Sequence, residues 1–272
     1  MKFPVKSSSR AWPGLASWFL IAVSLALPLM GLTGCGKTIN YVKSIFGYGS
    51  DNEVLEGDQS ASLAAKAQER MDADDYAEAA KIWQQIKDQY PYSRYALLAE
   101  LKLGDAFFLN GKYIEAYGAY RSFEELHPTN DAVPYAIYQQ GMCHYMRMNG
   151  IDRDQTPTLL TIQTLAHLIE SYPESQYSTL AKARIAEAQN NLAGHEFYIG
   201  EFYYKRKDYQ AAMNRFRGLI EAYPDSGYHQ RAFNYIAMYR DLVARGEIKE
   251  GNQRGSEYNS PFTISDVTKP RM

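Results

Sequence analysis

The sequence predicts an all-α fold, a solenoid of about five stacked helix pairs, and three observations carry that expectation. Four segments close alike, on an aromatic residue or histidine followed by proline, at Pro91, Pro128, Pro173 and Pro224. In three of them a tyrosine stands fifteen residues ahead of the proline (Tyr76, Tyr113, Tyr209), followed by Ala79, Ala116 and Ala212, then Trp83, Tyr120 and Phe216, then Ile86, Phe123 and Leu219. Steps of three, four and three residues lay one small and several large side chains along a single helical stripe. Thirteen residues past each proline sits a small residue, Gly104, Gly141, Ala186 or Ala237, at which the following helix can cross its partner closely.

Taken in chain order, residues 1–34 read as a lipoprotein signal peptide. Lys2, Lys6 and Arg10 appear without an acid, an apolar run follows from Gly14, and small residues precede Cys35. The stretch GLTGCGKT at 31–38 also satisfies GxxxxGK[ST], the phosphate-cradling loop. That loop needs a buried strand before it and a helix after it, and cleavage before Cys35 would remove Gly31. An uncleaved apolar run of this length could span a bilayer, but Pro28 and the small residues at its end favour cleavage. Cys35 is then the lipidated first residue. Its two or three acyl chains, at ~0.8 kcal/mol per buried methylene, give a durable anchor. The next residue is Gly36, where the enterobacterial inner-membrane retention pattern has aspartate, so the expected destination is the outer membrane, facing the periplasm.

Residues 35–58 form the lipidated tether, with Gly47, Gly49, Ser50 and Asn52. The repeat domain is expected over 59–246, in units of about 59–91, 92–128, 129–173, 174–224 and 225–246. Each closing proline ends a helix, because it cannot donate an amide and disfavours helix in the residue before it. The third unit is degenerate: Thr158 and Thr161 replace the first two stripe residues, while Leu165 and Leu168 remain. The last unit holds one helix, near 227–245, with a poorly formed partner. The tail, 247–272, lacks helical periodicity and is expected to be flexible. Alanine and aromatics at set offsets with a closing proline resemble the tetratricopeptide repeat. The prolines stand 37, 45 and 51 residues apart, against a standard of about 34, so extra length must lie near 148–157 and within 177–207.

Composition excludes several functions. Removing the signal takes three basic residues and no acid, leaving 26 basic against 31 acidic residues, a net charge of −5. Nucleic acid is excluded as a partner, because phosphate binding requires a basic footprint. With Cys35 lipidated, Cys143 is the one remaining cysteine, and it reads as buried filler in a helix. His195-Glu196 suggests a zinc-protease helix, but position 199 is Ile and the second histidine is missing. The histidines His127, His144, His167, His195 and His229 show no ligand spacing, so no metal is expected, and no nucleophile elbow appears. Neither a catalytic residue nor a cofactor is expected. The 23 tyrosines mostly serve packing. Some could line a peptide groove, where amphipathic rings are favoured, and Tyr92, Tyr95, Phe107 and Phe108 are the candidates.

Segments YPYSRYA at 90–96, HPTNDAVPYAIYQQGM at 127–142, DRDQT at 152–156, YPESQYSTLAKARI at 172–185 and the run EFYYKRKDYQAAMNRFRGLIEAYPDS at 201–226, in this order behind a lipobox, resemble the BamD family of outer-membrane β-barrel assembly lipoproteins. The resemblance covers about residues 59–245. It implies a non-enzymatic scaffold whose C-terminal units dock on a periplasmic domain of BamA, beside other lipoproteins of the complex. The N-terminal units would receive targeting strands of unfolded outer-membrane proteins. It further implies that Arg215, with Asn214 beside it, is a basic contact to BamA. Asp152, Arg153 and Asp154 match the family's loop motif, either as a partner contact or as a brace for the third unit. A scaffold of another envelope machine, for pilus secretin or cell-wall assembly, would share anchor and fold.

Overall fold

Stripe, proline and turn residues between them set where helices form. The computed structural model describes residues 59–249. Among them nine α-helices follow one another: α1 Gln59–Asp72, α2 Tyr76–Gln89, α3 Ala96–Leu109, α4 Tyr113–Leu126, α5 Val133–Tyr145, α6 Thr156–Ser171, α7 Gln176–Lys205, α8 Tyr209–Ala222 and α9 His229–Ala244. No described residue is in a strand. The segments expected as signal peptide and lipidated tether, with Cys35, and the expected tail from residue 250 onward lie outside the described residues.

Each helix packs on its neighbours in sequence, and α5 also touches α7. The result is an all-α helical repeat fold of the tetratricopeptide kind. Helices α2, α4, α6 and α8 each stop two residues before their proline, with the intervening N–H still bonded back, as Tyr90 N to Ile86 O at 2.9 Å. At helix starts, the side chains of Asp75, Ser175 and Asp208 accept from free backbone amides of α2, α7 and α8.

Helices α1, α3, α7 and α9 end on a shared reversal. Asp74, Gly111, Lys207 and Gly246 take positive φ of 58°, 73°, 64° and 73°. In each case two amides bond back, as Gly111 N to Phe108 O and Lys112 N to Phe107 O, which satisfies carbonyls the helix end leaves open.

The stripe residues face inward without exception: Ala79, Ala116, Ala212, Trp83, Tyr120, Phe216, Ile86, Phe123 and Leu219 are buried, and so are Thr158, Thr161, Leu165 and Leu168. They fall into two clusters. One runs from α1 to the start of α7, ending at Tyr177 and Ala181. The other takes Ala188, Leu192, Ala193 and Phe197 of α7 together with α8 and α9. Ile185 packs against both. Helix α7, with 30 residues, therefore belongs to both cores, and its length accounts for the widest proline spacing.

That length also corrects one sequence expectation. A Cβ on Gly104 would lie 2.7 Å from the Tyr120 ring, and one on Gly141 would run into Leu165, so these two glycines do mark close crossings. On α7 the crossing is at Gly200, whose Cβ would lie 2.5 Å from Phe216, and not at Ala186. The added turns of α7 carry the contact with α8 about four turns further along. Ala237 marks no crossing and is exposed.

Candidate functional site

In the N-terminal half, α3 is locked by a buried polar network. Asp105 Oδ1 accepts from Tyr120 OH of α4 at 2.8 Å and Tyr135 OH of α5 at 2.6 Å, and Oδ2 accepts from Lys102 Nζ at 2.8 Å. Both charged side chains are almost fully enclosed. Burial first, and the Asp105 charge second, push both phenols well above the usual tyrosine range. They stay neutral donors.

The four aromatic candidates sit at the two ends of this helix. Tyr92, in the link between α2 and α3, is fully exposed. Tyr95 is half-buried, with the Arg94 guanidinium 4.9 Å from its ring centre. Phe107 and Phe108 lie up to thirteen residues beyond Tyr95, about 20 Å along the helix axis, packed against the first core. Phe108 also meets Tyr113 edge-on at 5.4 Å. The structure thus brings Tyr92 close to Tyr95 in the chain, but does not join that pair to Phe107 and Phe108 in one patch.

In the C-terminal half, the loop between α5 and α6 presents Asp152, Arg153 and Asp154, all exposed. Other side chains hold the loop. Buried Gln155 donates Nε2 to Gly150 O and Arg153 O, each at 2.9 Å, and its Oε1 accepts from Thr158. From α7, Asn191 Nδ2 donates to Asn149 O at 3.1 Å, and His195 Nδ1, which must carry the proton to meet a carbonyl, donates to Ile151 O at 2.6 Å. Gly194 leaves room for this docking, since a Cβ there would lie 2.7 Å from Ile151. Asp154 itself accepts from the Thr156 amide and hydroxyl, fixing the start of α6.

On α8, Arg215 Nη1 bonds Glu196 Oε2 of α7 at 3.0 Å, with side-chain exposures of 28% and 3%. Glu196 Oε1 accepts no hydrogen bond. Nearby, Tyr223 is pushed up to about 12, first by burial and then by the Glu196 charge. Asn214 accepts from Gln210 at 3.3 Å. A cleft of about 260 Å³, lined by Gln189, Asn190, Tyr223, Asp225 and Ser226 among others, opens between α7 and the turn after α8.

This is an array of rigidly presented loops and aromatics. Among the described residues no group of three His, Cys, Asp or Glu side chains is placed to hold a metal, and no helix is long and apolar enough to cross a membrane. Buried Cys143 has its thiol pushed up to about 12 by burial. The family model described as YfiO, outer membrane lipoprotein, matches residues 57–254.

The chain belongs to the YfiO family of outer membrane lipoproteins. Relatives of this kind carry the name outer membrane protein assembly factor BamD. The one from Rickettsia prowazekii is 31% identical over 182 residues, 66% of this chain and 72% of its own length. That of Caulobacter vibrioides is 29% identical over 200 residues, 73% of this chain, and the match spans 65% of the relative's length. The Neisseria meningitidis serogroup A relative is 25% identical over 252 residues, covering 89% of this chain and 91% of the relative. The YfiO match contains all of the candidate site residues except Cys35, which lies upstream of it.

Sequence reasoning missed three features inside the YfiO span. Glu196 entered only as half of a failed zinc motif; its tie to Arg215 crosses two helices and leaves no local signal. Asn191 and His195 brace a loop about 42–44 residues away in the chain. Tyr198 and Phe202 of α7 are about half exposed, with Arg206 over the Phe202 ring at 5.3 Å. Their i, i+4 spacing off the buried stripe was the available clue.

Proposed function

We propose that this chain is a lipid-anchored scaffold for assembling outer-membrane β-barrel proteins, acting without catalysis. Cys35 carries the acyl anchor at the periplasmic face of the outer membrane. The C-terminal units hold a periplasmic domain of BamA through Arg215, Asn214 and the Asp152–Arg153–Asp154 loop. Aromatics at the ends of α3 receive the targeting strands of unfolded barrel proteins, Tyr92 and Tyr95 at one end, Phe107 and Phe108 at the other. The observation that carries the reading is the loop at 152–154. Asp152 and Arg153 face solvent, Asp154 is exposed but tied to Thr156, and Gln155, Asn191 and His195 use their hydrogen bonds to fix the loop backbone, an arrangement that pre-pays the ordering a partner would otherwise impose. Holding client and BamA on one rigid array raises their effective concentration, so each contact can be modest.

Affinity purification of the full-length lipidated chain from detergent-solubilised outer membranes tests this reading. BamA should co-purify, and less of it with Asp152→Ala/Arg153→Ala. Recovery of a secretin or a cell-wall synthesis complex without BamA would assign the scaffold to another envelope machine.

A further inference from the structure

The cleft between α7 and the turn after α8 exists because α7 is long. Ala186 stands thirteen residues past Pro173, as Gly104 and Gly141 stand thirteen past Pro91 and Pro128. Over those glycines the Tyr120 ring and the Leu165 side chain close the surface. On α7 the crossing has moved to Gly200, so Ala186 stays exposed and lines the cleft together with Ala222. Two small side chains give it depth. Its volume, about 260 Å³, falls below the roughly 300–1,000 Å³ of small-molecule pockets and suits one large side chain.

The groups around this cleft are short of hydrogen-bond donors. Asp225 is the charged residue that lines it; its side chain is exposed and pairs with no cation among the described residues. Ser226 also lines the cleft, with its hydroxyl oxygen enclosed and unbonded. Asn191 Oδ1, one residue on from the lining Asn190, is buried without a partner, and so is Glu196 Oε1, on the carboxylate whose charge reaches the lining Tyr223. Such atoms keep a desolvation cost that the chain's own donors do not offset. On the adjoining turns Arg184 is spent on Glu187, while exposed Lys182 and Glu221 balance, so Asp225 sets the charge. The matching occupant is a cation that donates and does not accept. Arginine has five N–H donors on a planar cation and no acceptor, with a methylene stem for apolar walls. Lysine brings three donors on a compact, more strongly hydrated charge.

We propose that the cleft receives an arginine side chain of a partner protein, its guanidinium on the Asp225 carboxylate and its methylene stem between Ala186 and Ala222. Exposed Asn190 and Pro224 at the rim leave room for the backbone that carries the arginine. A single anchoring arginine in a side-chain-sized recess is a common way for an interface to concentrate its binding energy. The inference does not rest on the proposed assembly role, since it concerns the chemistry of the recess and not the identity of the partner.

The test is an NMR titration of the intact lipidated chain, in detergent micelles, with a capped Gly-Arg-Gly tripeptide. Amides of Gln189, Asn190 and Ser226 should shift and saturate with a Kd of about 1–10 mM. Asp225→Asn should weaken binding about tenfold by removing the charged acceptor. Ala186→Trp, which fills the recess from an exposed position, should abolish it, and both variants should melt as the unaltered chain does. A tripeptide with citrulline, of the same shape without the charge, should not bind. Free arginine, whose own carboxylate meets Asp225, should bind several-fold more weakly than the tripeptide. Equal binding of the arginine and citrulline peptides would overturn the proposal, as would binding that ignores Asp225→Asn, or no shift at about 50 mM, well above the expected range. Free arginine binding more tightly than the tripeptide would also overturn it, because the recess would then serve a small molecule. None of these readings depends on BamA, so this inference and the assembly role fail separately.

Discussion

Glu196 is the residue on which the C-terminal half turns. It is 2% exposed and one oxygen has no hydrogen bond, so its charge depends on the Arg215 guanidinium. Removing one partner of a fully buried pair costs roughly 3–5 kcal/mol; with Arg215 partly exposed, Arg215→Glu should cost about 2–3 kcal/mol in denaturant unfolding. Adding Glu196→Gln should return most of that, because a neutral amide tolerates the missing cation. The pair of variants separates two roles. If the double variant folds normally yet fails to hold BamA, Arg215 is a contact; if binding returns with stability, it is a brace. Tyr223, beside Glu196, gives a pH signature. Its phenol stays neutral in the folded chain up to about 12, against 10.0 normally. The unfolded chain therefore releases that proton first, and stability falls as pH rises from about 10 to about 12. Tyr223→Phe should flatten part of this decline, read from urea midpoints at about pH 9 and 11.

At the scale of the element, glycine positions discriminate between packing and propensity. Gly104 and Gly200 face rings of Tyr120 and Phe216 that are themselves fully buried, so Gly104→Ala or Gly200→Ala should cost about 1–3 kcal/mol through overpacking. Gly118, in the middle of α4 with open space around it, should behave oppositely: Gly118→Ala should gain up to about 1 kcal/mol. The reversal turns add a third case. Lys207 holds a positive φ that disfavours side chains, so Lys207→Gly should stabilise by about 0.5–1 kcal/mol, less than the full 1–2 kcal/mol strain because glycine loosens the unfolded chain. Thermal melts of these variants in parallel suffice. The stripes of α2, α4 and α8 were legible in the sequence because helical periodicity is local, and so were the prolines that stop them. The crossing on α7 was not legible, since Gly200 meets Phe216 only because α7 continues for four turns past the expected point. The same holds for the site: the exposed Asp152 and Arg153 could be picked out as a motif, whereas their bracing by His195 and the tie between Arg215 and Glu196 depend on which helices become neighbours.

Across the whole repeat body, α7 decides whether the array unfolds as one. Stacked repeats are stable as the sum of each unit and its interfaces, so cooperativity depends on the weakest junction. Here the junction is a continuous helix. Its first turns lie in one core with Tyr177 and Ala181, its later turns in the other with Leu192 and Phe197, and Ile185 touches both. Contact between α5 and α7 adds to the link, as does the phenol of Tyr145 donating to Glu187. A proline at Glu187 removes a helical hydrogen bond and kinks the helix at that bridge, costing about 3 kcal/mol or more, while leaving the residues of either core in place. The unaltered chain should melt in a single transition by calorimetry. Glu187→Pro should split it, with the lower transition belonging to α8 and α9, whose smaller cluster lacks the Lys102–Asp105 network that ties α3, α4 and α5 together. Hydrogen exchange can assign the two steps to their helices. A single transition merely shifted downward would mean that side-chain contacts across α5 and α7, rather than the continuity of α7, couple the two halves.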